Sequence, residues 1–186
     1  MKKILVYGSQ DFGQVVKALV VKCGHEFSGF IDDFNSGNEI VGNYLQACES
    51  FSPQHFEIVI AIGYKNIKER WKIYQKVCLA GYSIPCIIHP NALISDNCKI
   101  GAGSIIMAGA IVDVNAQLEE LVVVWPGVVV NHDSVIHANT FLSPNSTICG
   151  FVEVGKDCFL GAGTIVVDHR KVPDGSFVKA GSLFKG

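Results

Sequence analysis

Aliphatic residues recur at every sixth position through the second half of the chain. The series starts at Ile88 and continues without a break to Val178, sixteen positions in all. Four residues after each aliphatic one, from Ala92 to Thr164, only alanine, serine, threonine, cysteine or valine occurs. Each hexapeptide therefore carries one large aliphatic and one small inward position.

A period of six predicts turning strands and not a helix. An aliphatic stripe with this period would drift around a helix, whereas six is a multiple of two, so extended strands direct all these side chains to one side. A chain that turns every six residues and buries both positions forms a solenoid. The pattern resembles the hexapeptide repeat of the left-handed parallel β-helix, and the handedness and the triangular coil of about eighteen residues come from that resemblance.

The first part of the chain alternates between strand and helix patterns. Short apolar runs predict four strands and 3.6-residue periodicity predicts two helices between them. We expect the strands over residues 3–7, 26–31, 57–62 and 84–88, and the helices over 12–22 and 66–80. This alternation predicts a small Rossmann-like parallel sheet over residues 1–86, followed by the solenoid over residues 87–186, so the fold class is α/β plus all-β.

Composition excludes several classes. Of the 186 residues, 49% are hydrophobic and 17% charged, which is too apolar for a disordered chain, and the net charge of −2 gives no support for a nucleic-acid or membrane partner. The apolar run over residues 4–7 is too short for a signal peptide, and the aliphatic stretch over 121–125 is too short for a span. Seven cysteines without CxxC pairing predict free thiols and a cytoplasmic protein.

A glycine-rich turn between the first strand and the first helix is a candidate phosphate site. Free backbone N–H groups and the helix dipole at such a turn attract anions. The turn lacks a full GxGxxG motif, so NAD binding is not favoured, and a tight structural turn is the alternative. Its residues are Gly8, Ser9, Gln10, Asp11, Phe12 and Gly13. Asp32 or Asp33, after the second strand, is expected to accept hydrogen bonds from a ribose or base, and Gly63 ends the third strand.

Six short motifs together resemble one family over nearly the whole chain: the bacterial nucleotide-sugar N-acetyltransferases and their sialic-acid O-acetyltransferase relatives. The motifs are Tyr7-Gly8-Ser9 to Gly13, Gly29-Phe-Ile-Asp-Asp33, Ala61-Ile-Gly63, Ile88-His-Pro90, Val130-Asn-His-Asp133 and Leu160-Gly-Ala-Gly163. The resemblance implies that the first domain binds a UDP- or dTDP-linked amino sugar. It also implies that the coils bind acetyl-CoA between the subunits of a homotrimer, with Gly161 and Ala162 at the coenzyme and no metal. The family's catalytic histidine matches His132, and its acidic partner matches Asp133.

The chemistry of these residue types supports that assignment. An amine that attacks a thioester must lose a proton, and imidazole, with a pKa near 6.5, is suited to accept it. A carboxylate orients such a base, although Asp133 must reach His132 around a turn or across subunits, because adjacent strand residues point oppositely. Gly150 lies eighteen residues after His132, one coil away, so its N–H is a candidate oxyanion donor.

Departures from the family pattern leave alternatives open. Phe12 and Phe141 stand where many relatives have histidine, so the sugar identity stays open. The C-terminus is about one coil short, which leaves the details of coenzyme binding open. O-acetylation of sialic acid is the first alternative. The second alternative is metal-dependent hydration, because His132 and His137 have the His-x4-His spacing of β-helical metal-dependent hydratases. The third alternative is a non-catalytic nucleotide-sugar sensor. An apolar excess at Val122, Val123, Trp125, Val128 and Val129 favours a homotrimer.

Overall fold

The computed structural model describes residues 2–186, and the chain forms two compact units. These are Met1–Pro85 and Cys86–Gly186. None of the helices in residues 2–186 has the length and the apolar character needed to cross a membrane.

The first unit is a four-stranded parallel sheet with three α-helices. The strand order is β3-β2-β1-β4, and every neighbouring pair is parallel. The elements in chain order are β1 (Lys3–Tyr7), α1 (Asp11–Lys22), β2 (Glu26–Ile31), β3 (Ile40–Gly42), α2 (Tyr44–Ser50), β4 (Phe56–Ile60), a 3₁₀ turn (Tyr64–Asn66) and α3 (Ile67–Leu79).

The core of this unit is the central strand β1, whose residues 4–7 are all buried. Helix α1 covers it with Val16, Leu19 and Val20, the buried face of an amphipathic pattern. The chain runs from β1 to β2 and β3 on one side and then crosses to β4 on the other, so the strand order reverses between β1 and β4. In open parallel sheets, ligands bind at the carboxyl ends of the strands beside such a reversal.

Two expectations for the first unit are corrected. The strand predicted over residues 84–88 is confined to Ile87–Ile88, and it pairs with Ile105–Ile106 in the second unit. The fourth strand of the first sheet is instead Ile40–Gly42, which the sequence pattern did not indicate. Three residues are too few to show an alternating pattern, and the helix after it, Tyr44–Ser50, spans only two turns.

The second unit is a parallel β-helix built from two-residue strands. Three sheets run along it, two with six strands and one with five, and each strand pairs with strands eighteen residues before and after it. The strands are β5 (Ile87–Ile88), β6 (Leu93–Ile94), β7 (Lys99–Ile100), β8 (Ile105–Ile106), β9 (Ile111–Val112), β10 (Gln117–Leu118), β11 (Val123–Val124), β12 (Val129–Val130), β13 (Val135–Ile136), β14 (Phe141–Leu142), β15 (Thr147–Ile148), β16 (Glu153–Val154), β17 (Phe159–Leu160), β18 (Ile165–Val166), β19 (Lys171–Val172), β20 (Phe177–Val178) and β21 (Leu183–Phe184).

The sixteen aliphatic positions are the second residues of these strands. From Ile106 to Val178 all of them are buried in one continuous core, and the first three pack against it. The small position lies at each corner, and a serine or threonine there can tie neighbouring coils. Ser134, for example, donates to the Cys149 carbonyl at 2.8 Å and accepts from the Val152 N–H at 3.1 Å.

From Gly103 to Gly181, successive corners each contain a residue in the left-handed backbone region, and these residues are spaced six apart. Glycine, asparagine or aspartate fills most of these positions, as their tolerance of positive φ predicts. Three do not follow this rule: Leu121, Phe151 and His169. Leucine and phenylalanine are unusual at such positions because the backbone conformation disfavours large side chains.

Candidate active site

The candidate base, His132, lies at a corner of the β-helix directly after strand β12. Its Nδ1 is 2.9 Å from Oδ2 of Asp133. With the carboxylate ionised, Nδ1–H donates and Nε2 is left as the acceptor. The histidine side chain keeps 45% of its surface exposed, so a substrate has access to Nε2.

Asp133 reaches its own neighbour because its backbone has a φ of 57°. This left-handed residue turns the chain, so the alternation of strand side chains does not separate the pair. Asn115, one coil earlier, donates from Nδ2 to the other carboxylate oxygen at 3.0 Å. Hydrogen bonds from His132 and then Asn115 hold the pKa of Asp133 below its usual range. The carboxylate is therefore ionised and fixed from two sides.

Gly150 packs directly against the imidazole, one coil after it. A Cβ at this position would lie 2.7 Å from Cε1 and 2.8 Å from Nε2 of His132, so only glycine leaves room for the ring. Within residues 2–186 its N–H makes no hydrogen bond. The structure thus places Gly150, whose N–H is unused, against the ring of the candidate base.

Two aromatic rings continue the same corner beyond His132. The Phe151 ring contacts the His132 ring at a centroid distance of 5.2 Å and an angle of 86°. The Phe151 ring also stacks on the His169 ring, with a centroid distance of 4.8 Å and an interplanar angle of 4°. The sequence pattern did not indicate Phe151, because the contact depends on the coil spacing and on the left-handed turn.

The structure does not bring Gly161 and Ala162 to this corner within the single chain. They follow strand β17, and the left-handed residue of their corner, Gly163, bonds to Pro144. Gly161 is buried, its N–H donates to Val178, and a Cβ there would overlap the backbone of Ala180. Coil packing therefore explains why a glycine is needed at position 161. Ala162 is exposed. Phe141 is only 2% exposed, although it is the first residue of β14 and the β-helix core takes Leu142 from that strand.

The first unit contains a cavity of about 640 Å³ at the carboxyl ends of β1, β2 and β4. Seven of the expected nucleotide-sugar residues line it: Gly8, Gln10, Asp11, Phe12, Asp32, Asp33 and Gly63. The lining that the sequence analysis missed includes Tyr7, Phe34, Asn35, Ala61, Ile62, Tyr64, Lys65, Asn66, Glu69 and Ile73. Several of these follow β4 directly, so the strand end at Gly63 was the available signal.

Ser9 and Gly13 do not line the cavity, but they hold neighbouring parts of its wall in place. The Ser9 hydroxyl donates to Oδ2 of Asp32 at 2.5 Å, which ties the glycine-rich turn to the end of β2. A Cβ on Gly13 would overlap the Gly8 carbonyl oxygen, so this glycine allows the helix to approach the strand. The structural-turn interpretation therefore accounts for Gly13.

The two neighbouring aspartates have different tasks. Asp32 Oδ1 accepts from the Phe34 and Asn35 N–H groups and from Asn35 Nδ2, each at 3.0 Å, so its acceptor capacity is used within the protein. Burial raises the pKa of Asp32, but hydrogen bonds from Ser9, Phe34 and Asn35 outweigh it and leave the pKa lowered. Asp33 accepts from the Tyr7 hydroxyl at 2.6 Å and the Tyr44 N–H at 2.8 Å, one bond per oxygen, so each oxygen can accept another.

His137 is engaged away from His132. Its Nδ1 is 3.0 Å from Glu119 and its Nε2 is 3.0 Å from Glu153, which also bonds Lys171 at 2.7 Å. Within residues 2–186, no set of three or more His, Cys, Asp or Glu side chains is arranged to hold a metal ion. The His-x4-His spacing therefore does not form a shared ligand set here.

Hexapeptide coils with a histidine–carboxylate pair at a corner define a hexapeptide-repeat transferase. Residues 133–168 match the family described as bacterial transferase hexapeptide (six repeats), and residues 3–77 match the PglD N-terminal domain. The chain is similar to the acetyltransferase domain of PglB from Neisseria gonorrhoeae FA1090, at 30% identity and a TM-score of 0.91 over 97% of this chain and 90% of that one. That domain has also been solved in complex with acetyl coenzyme A.

Two further relatives are named for an amino sugar. PerB from Caulobacter crescentus, solved with CoA and GDP-perosamine, is 28% identical, with a TM-score of 0.90 over 97% of this chain and 87% of that one. GDP-perosamine N-acetyltransferase from Escherichia coli O157:H7 is 24% identical over 166 residues, 86% of this chain and 73% of that protein. The chain belongs to the family of acetyl-CoA-dependent nucleotide-sugar N-acetyltransferases. The left-handed β-helix expected from the hexapeptide repeat is confirmed by these matches.

Proposed function

We propose that the protein transfers the acetyl group of acetyl-CoA to the amino group of a nucleotide-linked amino-deoxy sugar, with His132 as the general base. The observation that carries the proposal is the His132–Asp133 pair at 2.9 Å with the unused Gly150 N–H beside its ring. A base, the group that orients it and an oxyanion donor then converge on one exposed corner.

In this mechanism the amine nitrogen attacks the thioester carbonyl carbon. His132 Nε2 accepts the N–H proton as the new C–N bond forms, and Asp133 stabilises the imidazolium through Nδ1–H. The Gly150 N–H donates to the carbonyl oxygen as it becomes negative. The C–S bond then breaks, and the imidazolium returns its proton to the departing thiolate, which yields CoA and the amide. Every atom is accounted for without a metal.

The proposal assigns the nucleotide sugar to the cavity of the first unit. Its volume suits a small ligand, and the start of α1, with Gly8, Gln10 and Asp11, borders it. Lys65 lines the same cavity and is a candidate phosphate contact, while Asp33 retains acceptor capacity for ribose or base. A UDP- or dTDP-linked sugar is the proposal from the sequence, and the GDP-perosamine of two relatives makes a GDP-linked sugar its competitor.

We propose a homotrimer, with acetyl-CoA held between subunits. The sequence argument is partly corrected, since Val122, Val123 and Val128 are fully buried in the single chain. The stronger support is an outward row on the sheet that contains β12. Leu93, Ile111, Ile165 and Leu183 are between 36% and 65% exposed there, and Val129 lies among them. His132 follows this sheet directly, so a subunit packed on the row would border the active site.

The cytoplasm is the proposed compartment. All seven cysteines are free thiols, as is typical of proteins in a reducing environment.

A screen of acceptors with acetyl-CoA, followed by mass spectrometry, tests the function. UDP-, dTDP- and GDP-linked amino sugars are compared with free sialic acid, and we expect a mass gain of one acetyl group on a nucleotide amino sugar. Acetylation of sialic acid alone would favour the O-acetyltransferase alternative, and no thiol release with any acceptor would favour the sensor.

His132→Asn tests the general base within the same assay. We expect kcat to fall by roughly 10²–10⁴, the usual worth of a general base, while KM for both substrates stays within a few-fold. Asp133→Asn should do less damage because it only orients the base. Near wild-type kcat in His132→Asn would remove the general-base role.

A further inference from the structure

Phe151 occupies a backbone conformation that disfavours it. Its φ is 57°, and 51% of its surface is exposed, so neither its backbone nor burial in the core accounts for an aromatic residue here. Equivalent corner positions hold Asn115, Asn139 and Asn145, residues that tolerate this region. Strained residues persist where the surroundings require them, and they cluster at functional sites.

The contacts of the Phe151 ring are directed at the proposed base. Its ring meets the His132 ring almost at a right angle, an arrangement that aromatic pairs favour, with centroids 5.2 Å apart. His169 stacks on the Phe151 ring, nearly parallel to it, with centroids 4.8 Å apart. The Phe151 ring therefore contacts two imidazoles.

The imidazole of His132 would otherwise be fixed by few contacts. Asp133 bonds Nδ1, and Gly150 packs against the edge that contains Cε1 and Nε2. The hydrogen bond fixes Nδ1, and Gly150 has no side chain with which to contact the ring laterally. The Phe151 ring supplies that lateral contact.

We propose that Phe151 is a positioning residue for the acetyl transfer, which orients the His132 imidazole and is itself supported by His169. The inference rests on the proposed function, since it assigns a role through the general base. Orientation of a catalytic group is worth much in rate, because small misplacements weaken proton transfer steeply.

The variant Phe151→Asn separates positioning from folding. Asparagine suits the left-handed backbone, so the melting temperature should hold or rise, whereas loss of the ring should lower kcat by about ten- to a hundredfold with both KM values nearly unchanged. Phe151→Tyr keeps the ring and should restore kcat to within about twofold of the wild type. His169→Asn should lower kcat less than Phe151→Asn, because His169 acts only through Phe151.

A double-mutant cycle tests whether Phe151 acts through His132. Adding Phe151→Asn to His132→Asn should cause no further loss of kcat, because the base that Phe151 orients is already absent. Phe177→Ala is the matched control and should leave kcat unchanged. It removes one ring of the stacked Phe159–Phe177 pair, which lies on another sheet.

Several results would overturn the inference. These are unchanged kcat in Phe151→Asn, a rise in KM alone, a loss of kcat that tracks a lowered melting temperature, or full additivity in the cycle. If His132→Asn itself retains wild-type kcat, the proposed function fails first, and the two failures are thereby distinguished.

Discussion

At the scale of single residues, the active-site corner depends on backbone conformation as much as on side-chain chemistry. Asp133 meets His132 only because a positive φ turns the chain between them. Gly150 is needed for a different reason: its φ is ordinary, but its missing Cβ is the space that the imidazole occupies. At this corner Asp133 therefore matters for its backbone conformation, and Gly150 matters because it has no side chain.

This difference makes Gly150→Ala a clean probe. The backbone accepts alanine without strain, so unfolding should be little affected, but the new methyl group would lie 2.7 Å from Cε1 of His132 and must displace the ring. We expect kcat to fall by about ten- to a hundredfold through the misplaced base. Kinetics at saturating acetyl-CoA, with the melting temperature as control, measure this. A variant with unchanged kcat would show that the ring position seen here is not the reactive one.

At the scale of elements, the cavity of the first unit is formed where the glycine-rich turn, the end of β2 and the 3₁₀ turn after β4 meet. Gly13→Val would not test this cavity, because its side chain collides with the Gly8 carbonyl and disturbs the strand–helix contact. Gly63 offers the better site. It lines the cavity, and a Cβ there meets nothing within 4 Å.

We therefore expect Gly63→Val to raise KM for the nucleotide sugar by about tenfold or more. The valine side chain would occupy space that the ligand needs, and a change of one or two methyl groups in a pocket has an effect of this size. KM for acetyl-CoA and the melting temperature should hardly change. Gly63→Ala, with less added volume, is the graded control and should have a smaller effect. An equal loss of affinity for both substrates would contradict the assignment of the cavity.

A second element-scale feature is the ion network that joins successive coils through His137. Burial lowers the pKa of His137, but hydrogen bonds to Glu119 and Glu153 outweigh it and leave the pKa raised. Lys171 and His137 in turn lower the pKa of Glu153. Both ring nitrogens of His137 face carboxylates, so the network requires the protonated imidazolium.

The sign of the pH dependence follows from the raised pKa. The contribution of His137 to stability is complete below the ordinary histidine pKa of about 6.5 and is lost as pH rises through its higher folded value. We expect the melting temperature to decline between pH 6 and pH 9, and His137→Gln to flatten that decline. An equal decline of the melting temperature with pH in the wild type and in His137→Gln would contradict this prediction. Because the network lies apart from His132, kcat should change little.

At the scale of the whole molecule, the exposed apolar row on one sheet of the β-helix is the feature that a second copy of the chain would cover. Ile165 is 44% exposed within it. We expect Ile165→Lys to dissociate the proposed trimer, because a buried unpaired charge at an interface costs several kcal/mol. Light scattering at micromolar concentration measures the mass. Phe177→Lys, on another sheet, is the control, and a fully active wild-type monomer would refute the trimer.

The sequence by itself determined the architecture of the β-helix. In a two-residue strand one side chain points inward, and a turn every six residues repeats this arrangement. The inward position of each aliphatic residue from Ile88 onward could therefore be predicted from the sequence. Strand–helix alternation likewise indicated the first sheet. The eighteen-residue coil, which the resemblance to the hexapeptide repeat implies, also predicts that Gly150 lies next to His132.

Only the tertiary structure decided how the sites are assembled. Asp32 is saturated by Ser9, Phe34 and Asn35, and Asp33 keeps spare acceptors, although the two are neighbours in sequence. The short strand Ile40–Gly42 has no pattern of its own and forms through pairing with β2. Phe151 meets His132 because coil closure imposes a positive φ on a residue that would avoid it. Periodic positions obey local geometry and can be read along the chain, whereas these contacts join residues whose spacing carries no repeating signal, and packing alone selects them.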